Sequence, residues 1–396
     1  MPPRKKKEEK EPVGINDAFE AQLATLGLGD ALKLADEYDN DVVCVTTGFP
    51  GLDHAIDDRG INCGLPKCRH SEIYSKKEHA GKTSLALAIG VTWQLLGLRV
   101  GILDIEGSMT AAYLKQLGFI TDKAEAEAKG LYAVRLVQVK VKAEDCETEM
   151  VYVEAVLDLI AKAANVFDLL IVDSVDALVS EADAAKTTSD NDLVGGISKK
   201  MRGFFRKNTT RRSHVCWLNH ANKSIGGTMV SYSTSGGKSV PRYSSLRFEL
   251  EVIGKLAEGD KDPYGFITRV KLVKDRLGAN WRYTDLYYIF GEGFSKEYDY
   301  FKQALRVGII TKFGGWFYIL GEGKNVDERK KSAPWKCQGE LGSYRDLIGE
   351  HRSIFDGIKQ LIDGEDVIPE VGVEHGDEAA AAAVAEAEEF QEAEAA

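Results

Sequence analysis

Residues 72–88 read Glu72-Ile73-Tyr74-Ser75-Lys76-Lys77-Glu78-His79-Ala80-Gly81-Lys82-Thr83-Ser84-Leu85-Ala86-Leu87-Ala88. The first three residues suit a buried strand and the last five suit the opening of a helix. Between them, Ala80-Gly81-Lys82-Thr83 lies where a tight loop meets a helix N-terminus. That order aims backbone N–H groups at an anion. A lysine in this place reaches the β- and γ-phosphates of a nucleotide, and a threonine hydroxyl ligates Mg²⁺. Lys82 and Thr83 fill those places, flanked by Ala80, Gly81 and Ser84. The full pattern also asks for glycine five residues before Gly81, where this chain has Lys76, and no glycine stands between Ser75 and Ala80. Gly-Lys-Thr alone is common by chance, so its neighbourhood decides its meaning.

Strands are expected over residues 71–74, 100–104, 169–173, 215–219 and 269–273. Helices are expected over 82–97 and 110–118. Apolar strands separated by helices indicate an α/β fold with a mostly parallel sheet buried on both faces. Three of these strands end in polar groups, at the edge where α/β sheets bind ligands. The first ends Asp104-Ile105-Glu106. Glu106 there either activates a water on the γ-phosphate or is a solvated strand-end acid. The second ends Val172-Asp173-Ser174, with Asp173 in the usual place of the acid that holds Mg²⁺ through water. The third ends Asn219-His220, and His220 taken alone reads more readily as a core histidine.

The 396 residues suggest two or three domains at roughly 100–200 residues each. Hydrophobic residues make up 44% and charged residues 29%, enough for an ordinary globular core. No apolar run approaches the roughly 20 residues that span a bilayer, and the MPPRKKKEEKE start has no apolar stretch of a secretory signal. Six scattered cysteines lack metal-ligand spacing and read as reduced thiols of a cytoplasmic protein. The formal net charge is −11, yet twelve acidic residues and no Lys or Arg fall in 363–396. The remaining 50 acidic and 51 basic residues leave the body near neutral, so a nucleic-acid partner is not excluded. Four segments follow: a basic arm and helix over 1–40, an α/β core over 41–292, a small α+β domain over 293–363 and an acidic disordered tail over 364–396. Within the third, a helix over 301–307 and a hairpin over 314–319 are expected.

The order of motifs resembles the RecA-type homologous recombinases, most like the tailed-phage UvsX branch. The likeness runs from about Val45 to Phe290, with a weaker echo to about Leu320. Thr46-Thr47-Gly48-Phe49-Pro50-Gly51-Leu52-Asp53 resembles the lead-in to the nucleotide fold, and Gly64-Leu65-Pro66 and Glu72-Ile73-Tyr74 the approach to the phosphate loop. The resemblance implies a RecA-like P-loop ATPase core that binds ATP and Mg²⁺. Glu106 would then be the catalytic glutamate, with Lys82 and His220 as its catalytic partners. Asn219-His220 matches the phage branch, where His replaces the bacterial Gln that senses the γ-phosphate. Tyr113, ahead of Leu114-Lys115-Gln116-Leu117-Gly118, matches the tyrosine that stacks on adenine. Val270-Lys271-Leu272-Val273-Lys274-Asp275-Arg276 matches the strand that sends two cations, here Lys274 and Arg276, into the ATP of the neighbouring subunit.

The family holds single-stranded DNA on two mobile loops. The first would span 181–196, followed by a basic helix with Lys199, Lys200, Arg202 and Arg206. The second would span 221–238, with Lys223, Gly226, Gly227, Gly236, Gly237 and Lys238, and Arg242 beyond it. Lysines and backbone N–H groups hold phosphates without reading bases. A solvated surface loop is the plain alternative, but so long a structureless stretch is uncommon in a compact domain without a function. The hairpin over 314–319 either gathers duplex DNA or simply packs. The implied function is a DNA-dependent ATPase, acting in recombination and repair. It would form a helical filament of its own copies on single-stranded DNA, pair it with a homologous duplex and exchange strands. Single-strand binding and mediator proteins are the further partners expected, in the cytoplasm of a phage-infected bacterial cell, with no membrane contact. A hexameric helicase of the same nucleotide fold and a non-catalytic recombination mediator are the rival readings. The acidic tail is expected to compete with DNA phosphates for the basic surface.

Overall fold

Strand and helix alternate along this chain because short apolar runs ending in glycine or an acid alternate with amphipathic stretches. The computed structural model describes residues 42–57, 64–138, 152–178, 196–207, 212–224, 231–257 and 262–364, with short pieces at 25, 141–142 and 149–150. Met1–Val43 and Cys44–Ala396 are separate compact units. The basic arm and most of the expected helix within 1–40, and the tail beyond 364, lie outside the described residues.

The main sheet has ten strands: β1 (His70–Ser75), β2 (Val100–Asp104), β3 (Arg135–Gln138), β4 (Leu169–Asp173), β5 (His214–Ser224), β6 (Ser231–Thr234), β7 (Leu246–Leu256), β8 (Gly265–Asp275), β9 (Tyr283–Ile289) and β10 (Gly293–Phe294). Their order is β10-β9-β8-β7-β1-β5-β4-β2-β3, with β6 paired to β5. The run from β7 to β3 is parallel, while β7 to β10 form an antiparallel meander. The expected strand over 269–273 therefore belongs to β8 and is antiparallel, because the eight residues between β7 and β8 are too few for a parallel crossover.

Helices cover both faces. On one side lie α1 (Pro50–Ile56) and α2 (Lys82–Leu95), packed through Leu85, Ile89 and Trp93 on Ile102, Ile171 and Leu218. On the other lie α4 (Val153–Ala163) and α5 (Gly196–Lys207), packed through Val156, Ile160 and Phe205 on Leu170, Val172 and Trp217. A short α3 (Ala111–Gln116) follows β2. Successive residues of β4 thus feed opposite cores, which is why Leu169–Asp173 is apolar without alternation. Trp217 is fully buried, and truncating so large a side chain costs about 3–5 kcal/mol.

Helix ends follow their caps. Helix α2 stops at Leu95, short of the expected 97, because Gly97 takes φ +77° and Leu98 N–H donates to the Trp93 carbonyl at 3.0 Å. Thr110 caps α3 by accepting Tyr113 N–H at 3.2 Å, and Gly118 ends that segment at φ +99°. After the sheet come α7 (Lys296–Arg306), a three-stranded antiparallel sheet of β11 (Thr311–Phe313), β12 (Trp316–Ile319) and β13 (Trp335–Gln338), and helices α8 (Glu340–Gly349) and α9 (Arg352–Asp363). A further five-residue helix, α6 (Ser239–Tyr243), joins β6 to β7. The expected hairpin is β11–β12, turning at Gly314-Gly315. Phe301, Phe317, Leu347 and Phe355 form a third core in this region.

Candidate nucleotide site and nucleic-acid face

The C-terminal ends of β1, β2, β4 and β5 converge on the head of α2. Gly81 caps that helix at φ +85°, and a Cβ there would fall 2.7 Å from the Phe294 ring, so glycine is required twice over. No acidic residue stands in the first turn of α2 and no side chain caps it. The helix itself thus brings no negative charge to its N-terminal dipole. The six residues from Ser75 to Ala80 are held from the side. Lys76 pairs with Glu249 at 2.5 Å, and the Ala80 carbonyl accepts from Thr268 Oγ1 at 3.2 Å. His79 supplies a positive φ of +60° that a glycine would otherwise provide.

Lys82 is buried. Its Nζ donates to Ser75 Oγ at 3.0 Å and lies 3.5 Å from His220 Nδ1. Burial pulls the ammonium below the usual lysine range, against the pull of Asp173 and Glu106. Burial and the neighbouring Lys82 charge also lower His220, so its imidazole is neutral at pH 7. His220 is thus a half-buried member of this cluster and not a core histidine. Thr83 donates its hydroxyl to Asp173 Oδ2 at 2.8 Å, and burial pushes that carboxyl up to about 6. Glu106 is exposed at the end of β2 and accepts from Ser174 Oγ at 2.6 Å. Tyr113 is hydrogen-bonded to Ser84 and packs against the core beside α2. One region therefore gathers Ala80, Gly81, Lys82, Thr83, Ser84, Glu106, Tyr113, Asp173 and His220.

Asn219 is fully buried and takes another part. Its Nδ2 donates to Glu72 Oε1 at 3.0 Å and to the Ser235 carbonyl at 2.9 Å, while Oδ1 accepts Ser235 N–H at 3.1 Å. It clamps β1 to the turn after β6.

Lys274 and Arg276 stand apart from Lys82. Lys274 is opposite Arg247, which is opposite Glu72, three residues before Ser75 and so roughly 10 Å along the strand from the phosphate loop. Lys274 Nζ donates to the Pro241 and Arg242 carbonyls at 2.8 and 2.9 Å, and Arg276 donates to the Arg242 carbonyl at 3.1 Å. Burial and the neighbouring Arg276 and Arg247 lower Lys274 to about 8.

Of the first expected DNA loop, residues 181–195 lie outside the described residues. In α5, Met201, Phe204 and Phe205 face the core, and Lys199, Arg202 and Arg206 are exposed at helical spacing. Lys200 is drawn aside to Glu154 at 2.9 Å. The second expected loop differs from a loose stretch. Ala221–Ser224 continue β5 and pair with β6, putting exposed Lys223 opposite Tyr232. Backbone pairing has overridden the polar composition there. Gly226 and Gly227 lie outside the described residues. Gly236 is buried beside Val175 and Gly237 abuts Ser198, so both serve a packed turn, while Lys238 and Arg242 are exposed.

Sequence reasoning missed Ser75 and Ser174, the hydroxyls that fix Lys82 and Glu106. Ser75 stood inside the loop that lacked its glycine and was the one visible signal. Ser174 adjoins a strand-end acid, and nothing in its own identity marks it. Cys44, Cys68, Cys216 and Cys337 form no disulfide among the described residues, and Cys63 and Cys146 lie outside them. Among the described residues no helix is long and apolar enough to cross a membrane.

Comparison with known proteins matches the RecA N-terminal domain over residues 14–295. The RecA protein of Nitratidesulfovibrio vulgaris is 30% identical over 322 residues, covering 78% of this chain and 83% of that protein. The RecA protein of Bifidobacterium longum is 28% identical over 393 residues, covering 96% of this chain and 87% of its own length. Among solved structures, the RadB recombinase aligns at 18% identity and a TM-score of 0.42, over 63% of this chain and 98% of the RadB chain. The family match spans the phosphate loop, all four strand ends that converge on it and the strand carrying Lys274 and Arg276: the chain belongs to the RecA family.

Proposed function

We propose that this chain is an ATP-dependent recombinase that assembles on single-stranded DNA and exchanges strands with a homologous duplex. The observation that carries the reading is the convergence of Lys82, the Thr83–Asp173 pair and the Ser174–Glu106 pair at one sheet edge, beside a helix N-terminus whose first turn contains no acidic residue. Thr83 and Asp173 offer two hard oxygens 2.8 Å apart, which fit a water-bridged Mg²⁺. Bound there, the ion would draw charge from the β- and γ-phosphates. Lys82 exchanges Ser75 and His220 for phosphate oxygens. Glu106, steadied by Ser174, orients the attacking water and accepts its proton. His220 reports the γ-phosphate to β5, which runs on into the hairpin. Tyr113 takes the adenine.

Lys274 and Arg276 act on the nucleotide of the next subunit. Their place at the far end of the strands from their own phosphate loop supports this. Lys199, Lys200, Arg202, Arg206, Lys223, Lys238 and Arg242, with the backbone of 226–227 and 236–237, make the DNA face. Residues 1–40 supply a filament contact, 41–292 the ATPase core, 293–363 a small accessory domain and 364–396 an acidic regulator. His220 in place of glutamine favours the tailed-phage UvsX branch, working in the cytoplasm of an infected cell with single-strand binding and mediator proteins.

Electron microscopy with single-stranded DNA and a non-hydrolysable ATP analogue tests the reading. Extended helical filaments are expected. Closed rings would indicate a helicase instead, and absence of DNA-stimulated ATP hydrolysis a non-catalytic mediator.

A further inference from the structure

Lys76 occupies the position at which the phosphate-loop pattern asks for glycine. A glycine would offer only its backbone, whereas Lys76 reaches two other elements. Its Nζ pairs with Glu249 Oε1 of β7 at 2.5 Å and lies 5.4 Å from the centre of the Tyr232 ring in β6. Glu249 is itself fixed by the Tyr74 hydroxyl at 3.0 Å. The Tyr74 ring carries Arg247 at 4.8 Å, Arg247 donates to Glu72 at 2.6 Å, and Glu72 accepts from Asn219. The β6 segment is therefore held at two points: at its base Asn219 of β5, itself bonded to Glu72 of β1, engages Ser235, and on its arm Lys76, the residue after β1, meets Tyr232.

The two points differ in kind. Asn219 is fully buried with its hydrogen bonds satisfied inside the protein, and it suits a fixed anchor. The Lys76 side chain is 43% exposed and Tyr232 47% exposed. A cation on an aromatic face at such a site changes an equilibrium by only about two- to fivefold. A contact of that size is made and broken easily. One of its ends belongs to the loop that would cradle phosphates and the other to β6, which pairs with the end of β5.

We propose that Lys76 is a positioning residue that couples the phosphate loop to the DNA-facing hairpin. A loop held by nucleotide holds the Lys76 ammonium over Tyr232, and so holds the hairpin arm in the orientation that accepts a single strand. By linkage, a bound strand favours nucleotide to the same extent. The inference rests on the ATP-dependent DNA-binding reading above.

The test measures affinity of the full chain for a fluorescent thymidine oligonucleotide, with and without a saturating, slowly hydrolysed ATP analogue, and takes the ratio. Lys76→Ala and Tyr232→Leu are each expected to lower that ratio about two- to fivefold. The double variant should fall no further than the larger single effect, since both remove one contact. Lys76→Arg should keep the wild-type ratio, because a guanidinium can pair with Glu249 and stack on Tyr232. Thermal melting checks that the variants fold. Unchanged ratios in both single variants, or additive losses in the double, overturn the coupling. A wild-type ratio of one overturns the ATP-dependent binding reading itself, and the inference with it.

Discussion

Lys82 and Lys274 lie at opposite ends of the same sheet: Lys82 opens the helix after Ser75, and Lys274 is in register with Arg247 and, through it, with Glu72. Each is occupied locally, Lys82 by Ser75 and Lys274 by the Pro241 and Arg242 carbonyls. In the proposed reading Lys274 serves the nucleotide of a neighbouring subunit.

Lys274→Ala and Arg276→Ala should therefore leave nucleotide binding by an isolated subunit within about twofold of wild type, since no contact across the boundary is lost there. DNA-stimulated hydrolysis and filament length should fall together. Equilibrium binding of a fluorescent nucleotide under non-assembling conditions, set beside hydrolysis on long single strands, makes the comparison. Loss of binding by the isolated subunit would place both cations in their own active site.

Much of this arrangement was legible because the core strands advertise themselves. Leu169–Asp173 is four apolar residues and an acid, buried throughout, and Val100–Asp104 shows the same burial and ends in an acid too. Other parts were silent. Helix α7 begins at Lys296, five residues before its expected start, because Ser295 caps it by accepting Tyr298 N–H and its first turn carries Glu297 and Asp299. Those polar residues look like loop in sequence, yet they satisfy orphan N–H groups and the helix dipole. Strand β5 runs on to Ser224 because it pairs with β6, a partner seven residues further along the chain at its nearest end. Strand β7 carries Glu249, Glu251 and Lys255 among its apolar residues and was not foreseen at all. Long-range partners decide such elements, and a linear pattern does not contain them.

The junction between α1 and α7 should make stability depend on pH. Asp299 is buried and accepts Gly51 N–H at 2.7 Å, while its Oδ1 finds no partner; Asp53 is buried nearby. Burial pushes both carboxyls up to about 7, and the nearby Asp53 charge adds to the rise of Asp299. A folded-state value above the unfolded value of 3.8 means the native state holds protons that the unfolded state releases. Stability is then greatest below about pH 4 as far as these groups are concerned, and falls as pH rises through 7. Asp299→Asn keeps the Gly51 acceptor and removes the charge. It should gain on the order of 4 kcal/mol at pH 8 and well under 1 kcal/mol at pH 4, read from urea unfolding midpoints at the two values. Equal gains at both would mean the carboxyl does not titrate in this window.

Removing residues 364–396 takes away eleven of the twelve acids that follow Ile362 and no lysine or arginine. The exposed Lys199, Arg202 and Arg206 row on α5 then loses its competitor for phosphate. Duplex DNA should bind more tightly and assembly should need less Mg²⁺, with the largest difference at low salt, where charge is least screened. Filter binding across a salt series checks it, and unchanged binding at matched salt removes the tail from the account.

Glu106→Gln is the sharpest test of the site. Ser174 Oγ donates to Glu106 at 2.6 Å, and glutamine keeps a carbonyl oxygen to receive that bond, so the end of β2 stays in place. What disappears is charge and basicity at the point where the attacking water must lose its proton. Positioned general-base catalysis is typically worth about 10²–10⁴-fold, and turnover should fall by about that much. ATP binding draws on Lys82, Thr83 and Tyr113, none of which touches the substituted group, so it should survive. If ATP binding and not its cleavage builds the filament, the variant will hold single-stranded DNA longer than wild type. Lys82→Ala should instead lose nucleotide and assembly together, because no other ammonium is held between Ser75 and His220. Steady-state hydrolysis and DNA dissociation measured on the same preparations separate the two. Hydrolysis by Glu106→Gln at the wild-type rate would free Glu106 from catalysis and move the search for the base to the other acid of this edge, Asp173, which Thr83 already engages at 2.8 Å.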